Sequence, residues 1–310
     1  LLGIETLRWS DRNAPLPLQD NQAIDWATGC AMVQGAYTAF SPTLGRLVQQ
    51  VFDSGWVDAP PGKTKVGGAY DNTVLLPDGV RSYVLMNYLG SSRDVATLAH
   101  ELGHAVHGLL AGEAQGPLMW DAPMAYAETA SVFGEMLTFE HLLAQAPDDK
   151  ARLALLMDKM NDFLNTVVRQ ISFSEFEKLM HAKRREGKLS AEDFGALWKA
   201  VTVRFYGPEG EVFSYADMEN LWSYIGHFHR PFYVYAYAFG ELFTQALMAS
   251  RGRVGAQFEP LYLDLLRAGN SRDAVGLLAP FGLDPRDGDF WLRGIEGSLG
   301  RWLEEAERLA

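Results

Sequence analysis

The chain has 310 residues, and a hydrophobic content of 48% supports a sizeable buried core in one large domain or two small ones. Its 39 acidic and 27 basic residues leave a formal net charge of −12, which repels phosphate backbones and anionic lipid. We therefore expect no nucleic-acid or membrane partner and a cytoplasmic location. Cys30 has no second cysteine to pair with, and charges interrupt the apolar stretches too often for a membrane-spanning helix.

Taken in chain order, the sequence predicts a mainly α-helical protein with one small β region. It opens with a proline-punctuated loop, "DRNAPLPLQDN", followed by helical periodicity over 22–39 and 42–54. Turn signals at Gly67-Gly68 and Pro77-Asp78-Gly79 predict a small antiparallel ribbon within about 64–90, ending in a strand at Ser82–Tyr88. Further predicted helices cover 92–111, 123–145, 148–184, 190–206, 216–225 and 231–250, with several more towards the end. No linker or repeat divides this pattern, so we expect a single domain over residues 1–310.

The stretch "LAHELGHAVHG", residues 98–108, lies inside one of these predicted helices. Ser91 or Ser92 can cap the helix, and Asp94 lies in its first turn, where the helix dipole favours an anion. At 3.6 residues per turn, His100 and His104 differ by about 40° in azimuth and about 6 Å in rise. Two imidazoles at that spacing can converge on one tetrahedral zinc ion.

The residue between the two histidines has a different task. Glu101 projects beside the ligands, where it can take a proton from a metal-activated water and pass it to a leaving amine. Chance alone produces this His-Glu-x-x-His pattern in about 1% of random chains of this length. A catalytic zinc ion also needs a third protein ligand, which distinguishes a metal site from a chance match.

The segment "YAETASVFGEML", residues 126–137, supplies a candidate third ligand. Glu128 follows His104 by enough residues for a loop and the start of an antiparallel helix, and Glu135 lies two turns later on the same face. We assign Glu128 to the metal and Glu135 to the support of a ligand histidine. The alternative is that both are solvated surface carboxylates. His107 shares the face of the motif but is expected to be a packing residue.

The strand before the histidine helix can serve the same site. A strand in that position can run along a cleft and pair a free edge with an extended peptide, and Tyr83 to Tyr88 are placed to do so. An ordinary ribbon strand explains these residues equally well.

In combination, several motifs resemble the oligoendopeptidase F and thimet oligopeptidase family of zinc metallopeptidases, in particular its oligoendopeptidase F branch. The motifs are "GGAY" (67–70), "YVLMNY" (83–88), "TLAHELGHAVH" (97–107), "AETASVFGEML" (127–137), "TVVRQISFSEFE" (166–177) and "HFHRPFYVYAYAFG" (227–240). The resemblance implies a zincin-like helical catalytic domain, a Zn²⁺ cofactor and short peptides as substrates.

The last of these motifs also implies catalytic roles. Tyr233 and Tyr237 are expected on one face of a helix, with Tyr235 pointing elsewhere. By resemblance, His227 and Tyr237 stabilise the oxyanion of peptide hydrolysis and Tyr233 binds nearby. Such an aromatic cluster is also typical of a hydrophobic core.

Arg169 is expected either to order the cleft or to pair with Glu175 or Glu177. The chain departs from the family pattern at two positions: His229 stands where relatives usually have an aromatic residue, and Pro231 interrupts the start of the last motif. Family members are also about twice as long, so the resemblance implies a C-terminal catalytic half, with the missing N-terminal half as a further partner. A zinc carboxypeptidase, using Arg169 or Arg230 to hold a terminal carboxylate, and a metal-stabilised inactive binding module are the alternatives.

Overall fold

Several helices in this protein begin where the sequence supplies a side-chain cap. In the computed structural model, which describes residues 3–14, 16 and 23–310, Ser91 and Asp94 form a reciprocal capping box. Ser190 and Asp193 form a second capping box. The helices that follow them start at 92 and 191, within one residue of the starts that the periodicity predicts.

The chain is mainly helical, as the sequence predicts, with short strands. The strands of the described residues are β1 Leu7–Arg8, β2 Val57–Asp58, β3 Tyr70–Leu76, β4 Gly79–Leu85 and β5 Phe213–Ser214. The helices are α1 Trp26–Phe40, α2 Pro42–Asp53, α3 Ser92–Gln115, α4 Met124–Ala144, α5 Asp149–Phe163, α6 Gln170–Glu186, α7 Ala191–Tyr206, α8 Tyr235–Val254, α9 Phe258–Arg267, α10 Ala274–Leu278, α11 Gly288–Ile295 and α12 Arg301–Leu309. No helix in the described parts of the chain is long and apolar enough to cross a lipid bilayer.

The chain separates into two compact units. The larger unit comprises residues 20–156 and 240–310, and the smaller comprises residues 1–19 and 157–239. Two of the boundaries fall inside the continuous helices α5 and α8. A single catalytic domain over residues 1–310 therefore remains a prediction.

Three of the predicted helices differ from the structure. The helix expected over 148–184 is α5 and α6 joined by a π-helical segment, Leu164–Arg169. The helix expected over 216–225 is reduced to a 3₁₀ turn at Leu221–Tyr224, because Asp217 adopts a left-handed φ of 60° that an α-helix cannot contain. The helix expected from 231 begins only at Tyr235, because Phe232 has a φ of 65°. The predicted start of the first helix at 22 lies outside the described residues.

The sheet of the larger unit has β4 in its centre. β3 pairs with it antiparallel, from Tyr70 opposite Leu85 to Leu76 opposite Gly79, and β2 pairs with it in parallel on the other side. The N–H groups of Val84, Met86 and Tyr88 donate to carbonyls of the segment 56–59. The prediction that Tyr83 to Tyr88 offer a free edge to a peptide is therefore wrong. The strand β2 that covers this edge has two residues, too few for an alternating pattern to be recognised in the sequence.

The close approach of α3 and α4 depends on two glycines. A Cβ atom added to Gly103 would lie 2.5 Å from the carbonyl oxygen of Ala130, and one added to Gly134 would lie 2.6 Å from that of Ala99. The hydroxyl of Tyr37 on α1 donates to the same Ala99 carbonyl at 2.7 Å. This contact brings the carboxylates of α4 next to the histidines of α3.

An aromatic core fills the smaller unit. Trp9 and Tyr215 are buried in it together with Phe173, Phe176 and Trp198. The pairing of β1 with β5 holds the residues around Trp9 against this core. The N-terminal segment therefore belongs structurally with residues that follow it by more than 150 positions.

Candidate metal centre

His100 and His104 lie one helical turn apart on α3, and their imidazole rings are 4.9 Å apart between centroids. The Nε2 atom of His100 lies 3.5 Å from Oε2 of Glu128 on α4, and that of His104 lies 3.8 Å from the same oxygen. One donor atom from each residue falls within a group no more than 4.8 Å across. The structure thus brings together the three residues that the sequence predicts as metal ligands.

These separations fit a tetrahedral zinc ion. Zinc bonds of about 2.0–2.1 Å place two ligand atoms of a tetrahedron about 3.3–3.4 Å apart. The distances of 3.5 and 3.8 Å from Glu128 to the two imidazoles are close to that value. Two imidazole nitrogens and one carboxylate oxygen are also a common donor set for catalytic zinc, which leaves the fourth position for water or substrate.

Glu135 contacts one of the histidines from the other side of the ring. Its Oε1 atom lies 2.6 Å from Nδ1 of His100, while Nε2 of that ring is directed towards Glu128. Because a carboxylate can only accept, Nδ1 donates in this contact, and Nε2 is the nitrogen that faces the candidate metal position. Glu135 therefore contacts the nitrogen of His100 that faces away from Glu128.

The surrounding carboxylates make the site favourable for positive charge. Burial opposes protonation of His100, yet the hydrogen bond and charge of Glu135, helped by Glu128, raise its pKa to about 9. Burial and the charge of His100 lower the pKa of His104 well below its usual value. The potential that favours a proton on one imidazole also favours a divalent cation held by both.

Glu101 follows His100 in the chain, beside the candidate ligands, and is almost fully buried, with 5% of its surface exposed. Its Oε2 atom is buried and has no hydrogen-bond partner among the described residues. Burial raises the pKa of Glu101 to about 7, and the charge of Asp71 adds to the rise against the opposing effect of His100. A carboxyl group with a pKa near neutrality can both accept and return a proton.

Sequence reasoning missed a polar network beneath α3. Thr73 and Ser82 lie opposite each other on β3 and β4, with hydroxyl oxygens 2.8 Å apart, and both donate to the carboxylate of Asp71. Burial raises the pKa of Asp71 to about 6, although the two hydroxyl donors lower it. The alternation of Asp71 and Thr73 along one strand is the signal that could have indicated an inward polar face.

His107 does not join the metal-ligand group. It is buried on α3, and burial lowers its pKa to about 4. A neutral imidazole in this environment agrees with the packing role expected for it.

The aromatic motif of the smaller unit forms a cluster of three rings. The His227 ring stacks on Tyr233 with centroids 5.8 Å apart, and Tyr237 meets both rings edge-on. Nε2 of His227 lies 3.1 Å from the hydroxyl of Tyr237. Tyr235 is 47% exposed.

Tyr233 and Tyr237 are close to each other, but the expectation that they share one helix face is wrong. Tyr233 precedes α8, and a turn containing Phe232 brings its ring back to Tyr237. The buried carboxylate of Glu177 holds this turn by accepting the Phe232 N–H at 2.9 Å.

Arg169 has a different partner from those expected. It donates to the hydroxyl of Tyr224 at 2.7 Å, whereas Glu175 pairs with Lys178. His229 lies in a 3₁₀ turn after His227, in the segment that precedes α8.

Comparison with known proteins gives one consistent result. The model of "Peptidase family M3" matches residues 42–297. The chain is 30% identical over its whole length to "Oligoendopeptidase F, chromosomal" of Lactococcus lactis subsp. cremoris, and covers 50% of that protein. It is 33% identical over 77% of its length to "Oligopeptidase PepF" of Bacillus subtilis, and covers 35% of that protein.

A solved structure of PZ peptidase A with an inhibitor has the same fold. It superposes with a TM-score of 0.82 at 18% identity, over 99% of this chain and 54% of the other. The chain thus spans about half the length of the relatives it matches or less.

Proposed function

Because the chain belongs to peptidase family M3, we propose that it carries the catalytic centre of a zinc-dependent endopeptidase that hydrolyses short peptides. The observation that carries this proposal is the convergence of His100, His104 and Glu128 beside an almost fully buried Glu101. When bound, zinc supplies a positive charge that polarises a carbonyl group and makes water nucleophilic near neutral pH.

In this proposal, Glu101 transfers the proton and Glu135 orients a metal ligand. Glu101 takes a proton from the attacking water and returns it to the leaving amine. Glu135 orients His100 through Nδ1, at the 2.6 Å contact described above.

The aromatic cluster has a separate role in this proposal. Tyr237, held by His227, donates its hydroxyl hydrogen to the oxyanion that forms as the carbonyl is attacked, and Tyr233 contributes binding nearby. The hydrogen bond between His227 and Tyr237 supports a pair that acts together. A cytoplasmic location and an N-terminal half as partner remain predictions.

Peptide cleavage mapped by mass spectrometry tests the function. One peptide is blocked at both ends and its pair has a free C-terminus, and each is incubated with zinc-loaded chain and with the chelated control. Internal cleavage of the blocked peptide, lost on chelation, supports an endopeptidase. Release of single residues from the free C-terminus alone indicates a carboxypeptidase, and no cleavage even with a separately produced N-terminal half indicates a binding module.

A further inference from the structure

Two arginines of the smaller unit meet at one tyrosine without a carboxylate partner. Arg169 donates from Nη2 to the hydroxyl of Tyr224 at 2.7 Å, and the Arg12 guanidinium lies near enough to both groups to interact with them electrostatically. In the described parts of the chain, neither guanidinium forms an ion pair with an aspartate or a glutamate.

The Arg12 guanidinium is held in place by its own segment. Its Nη1 atom donates to the carbonyl of Trp9 at 2.9 Å, and its central carbon lies 4.6 Å from the centroid of the Trp9 ring. Trp9 is buried in the aromatic core. The neighbouring Asn13 accepts a hydrogen bond from Asn165, which ties this segment to the π-helical turn that ends at Arg169.

The Arg169 guanidinium is held in a similar way. Its central carbon lies 4.9 Å from the centroid of the Phe173 ring, one turn further along the chain. Both arginines therefore start from an ordered position, so that a ligand binding to them loses little side-chain freedom.

The charge of this pair is incompletely compensated. Burial lowers the pKa of Arg12, and the charge of Arg169 lowers it further. The Nε atom of Arg12 is also buried without an acceptor among the described residues. In a protein with a net charge of −12, these two arginines form a local positive pair.

Packing on aromatic rings does not by itself account for the arrangement. Arg204 lies 5.3 Å from the centroid of the Phe205 ring, and it also pairs with Glu175 at 3.5 Å. Arg251 lies over Phe40 and pairs with Glu140. Arg12 and Arg169 make the same kind of ring contact but share a phenol where those two arginines have a carboxylate.

The guanidinium groups and the Tyr224 hydroxyl offer hydrogen-bond donors to a ligand. Guanidinium groups have no acceptor, and a tyrosine oxygen that accepts from Arg169 directs its own hydrogen elsewhere. Tyr224 is 59% exposed, so a ligand in solution can reach this residue. A planar anion with two oxygens matches such a set, because it can accept from a guanidinium through two parallel hydrogen bonds.

We propose that Arg12, Arg169 and Tyr224 form a binding site for a carboxylate of the peptide substrate. The carboxylate belongs either to the C-terminus of the peptide or to an aspartate or glutamate side chain within it. This inference rests on the proposed peptidase function for the identity of its ligand as a peptide.

Ring contacts link the site to the aromatic cluster of the same unit, because Phe173, over which Arg169 lies, meets the ring of Phe228, the neighbour of His227 in the chain. Burial lowers the pKa of His227, and the charges of Arg169 and Arg230 lower it further. A carboxylate bound at Arg169 therefore places peptide near the pair of His227 and Tyr237.

Peptide binding without turnover tests the proposal. We would use the Glu101→Gln chain and three N-terminally labelled peptides of otherwise uncharged residues, one with a free C-terminal carboxylate, one amidated, and one amidated with a central glutamate. Fluorescence anisotropy gives the dissociation constant of each. We expect at least one acidic peptide to bind about tenfold more tightly than the neutral amide, because charge-assisted hydrogen bonds are lost in the amide.

The three peptides identify the source of the carboxylate. Tighter binding of the free acid indicates the C-terminus, and tighter binding of the central-glutamate peptide indicates a side chain. Equal binding of all three peptides, or no binding of either acidic peptide, overturns the proposal.

Variants locate the site. Arg12→Gln and Arg169→Gln should each remove the preference for the acidic peptide, whereas Arg204→Gln, a paired arginine that also lies over an aromatic ring, should keep it. Because Arg12→Gln loses a contact with Trp9, circular dichroism melting of each variant accompanies the binding data. Arg169→Lys keeps the charge but not the planar fork, and should retain part of the preference. A preference that survives both glutamine variants rejects the site.

Hydrolysis by the parent chain is measured separately. Carboxylate preference without hydrolysis, by the chain alone or with its N-terminal half, leaves the anion site standing and rejects the peptidase function. Hydrolysis without carboxylate preference supports the peptidase function and rejects the anion site.

Discussion

Nδ1 of His100 lies 2.6 Å from Oε1 of Glu135, on the side of the ring opposite the Nε2 atom that lies 3.5 Å from Glu128. One imidazole thus contacts two carboxylates through different nitrogens. The carboxylate at Nε2, that of Glu128, belongs to the candidate metal-ligand group. The carboxylate at Nδ1, that of Glu135, favours a proton on that nitrogen.

The first prediction compares these two carboxylates. Glu128→Ala should leave a folded protein whose zinc content after dialysis is well below one ion per chain, because one of three ligands is gone. Glu135→Ala should weaken zinc retention less, by about 10- to 100-fold in affinity, since the ligands remain and only the orientation of His100 is relaxed. Zinc content by atomic emission and competition with a chelator measure both. A larger loss for the Glu135 variant would reverse the two assignments.

A second prediction separates chemistry from metal binding. Glu101→Gln should retain zinc and the fold but lose nearly all peptide hydrolysis, because an amide in place of the carboxylate cannot take up a proton. The hydrolysis rate and the zinc content are measured on the same sample. Activity within a few-fold of the parent chain would exclude Glu101 as the proton carrier.

A third prediction concerns the hydroxyl of Tyr237. Tyr237→Phe keeps the ring that contacts His227 and Tyr233 but removes the hydroxyl, so the melting temperature should change little. If the hydroxyl donates to the oxyanion, kcat should fall by roughly 10²- to 10³-fold with little change in substrate affinity.

Tyr235→Phe is the matched control, since Tyr235 is on the same helix and 47% exposed. The rates are compared in whichever form turns over, the chain alone or the chain with its N-terminal half. If kcat is unchanged while the melting temperature drops, the Tyr237 hydroxyl has only a structural role.

The fourth prediction uses the buried carboxyl group of Asp71. Its pKa in the folded chain is about 6, raised by burial from an ordinary value of 3.8. Between these two values the folded state binds more protons than the unfolded state, so this group makes the chain less stable as pH rises through the interval. Asp71→Asn, which cannot ionise, should therefore show a smaller loss of melting temperature from pH 4 to pH 6, relative to the parent.

The melting curves for Asp71 are recorded with chelator present, so that metal binding does not contribute to the pH dependence. Asp58→Asn is the control, because Asp58 is an exposed aspartate of the same sheet. A parent chain and an Asp71→Asn chain with parallel pH profiles would show that Asp71 ionises at its ordinary pKa.

Much of the site could be predicted because its residues are local in the chain. The separation of His100 and His104 by four residues determines their common helix face wherever α3 lies, and the capping box at Ser91 and Asp94 determines where that helix begins. Glu128 and Glu135 follow the same logic on α4, since seven residues are two turns. Periodicity and capping act over a few residues and are therefore visible in the sequence.

The predictions that were wrong depend on contacts between residues that are far apart in the chain. Whether β4 has a free edge depends on which segment lies beside it, and the two residues of β2 leave no pattern to indicate this. The meeting of Tyr233 with Tyr237 depends on a left-handed turn at Phe232 that Glu177 stabilises from a distant part of the chain.

The sequence by itself thus determined the mainly helical class, the spacing of the histidines and the side chains available to a metal. Only the tertiary structure decided that Tyr224 joins Arg12 to Arg169 and that Asp71 is buried with Thr73 and Ser82. The physical reason is that backbone geometry fixes the distance between residues one turn apart. Residues far apart in the chain meet only through the packing of whole helices and strands, which depends on many side chains at once.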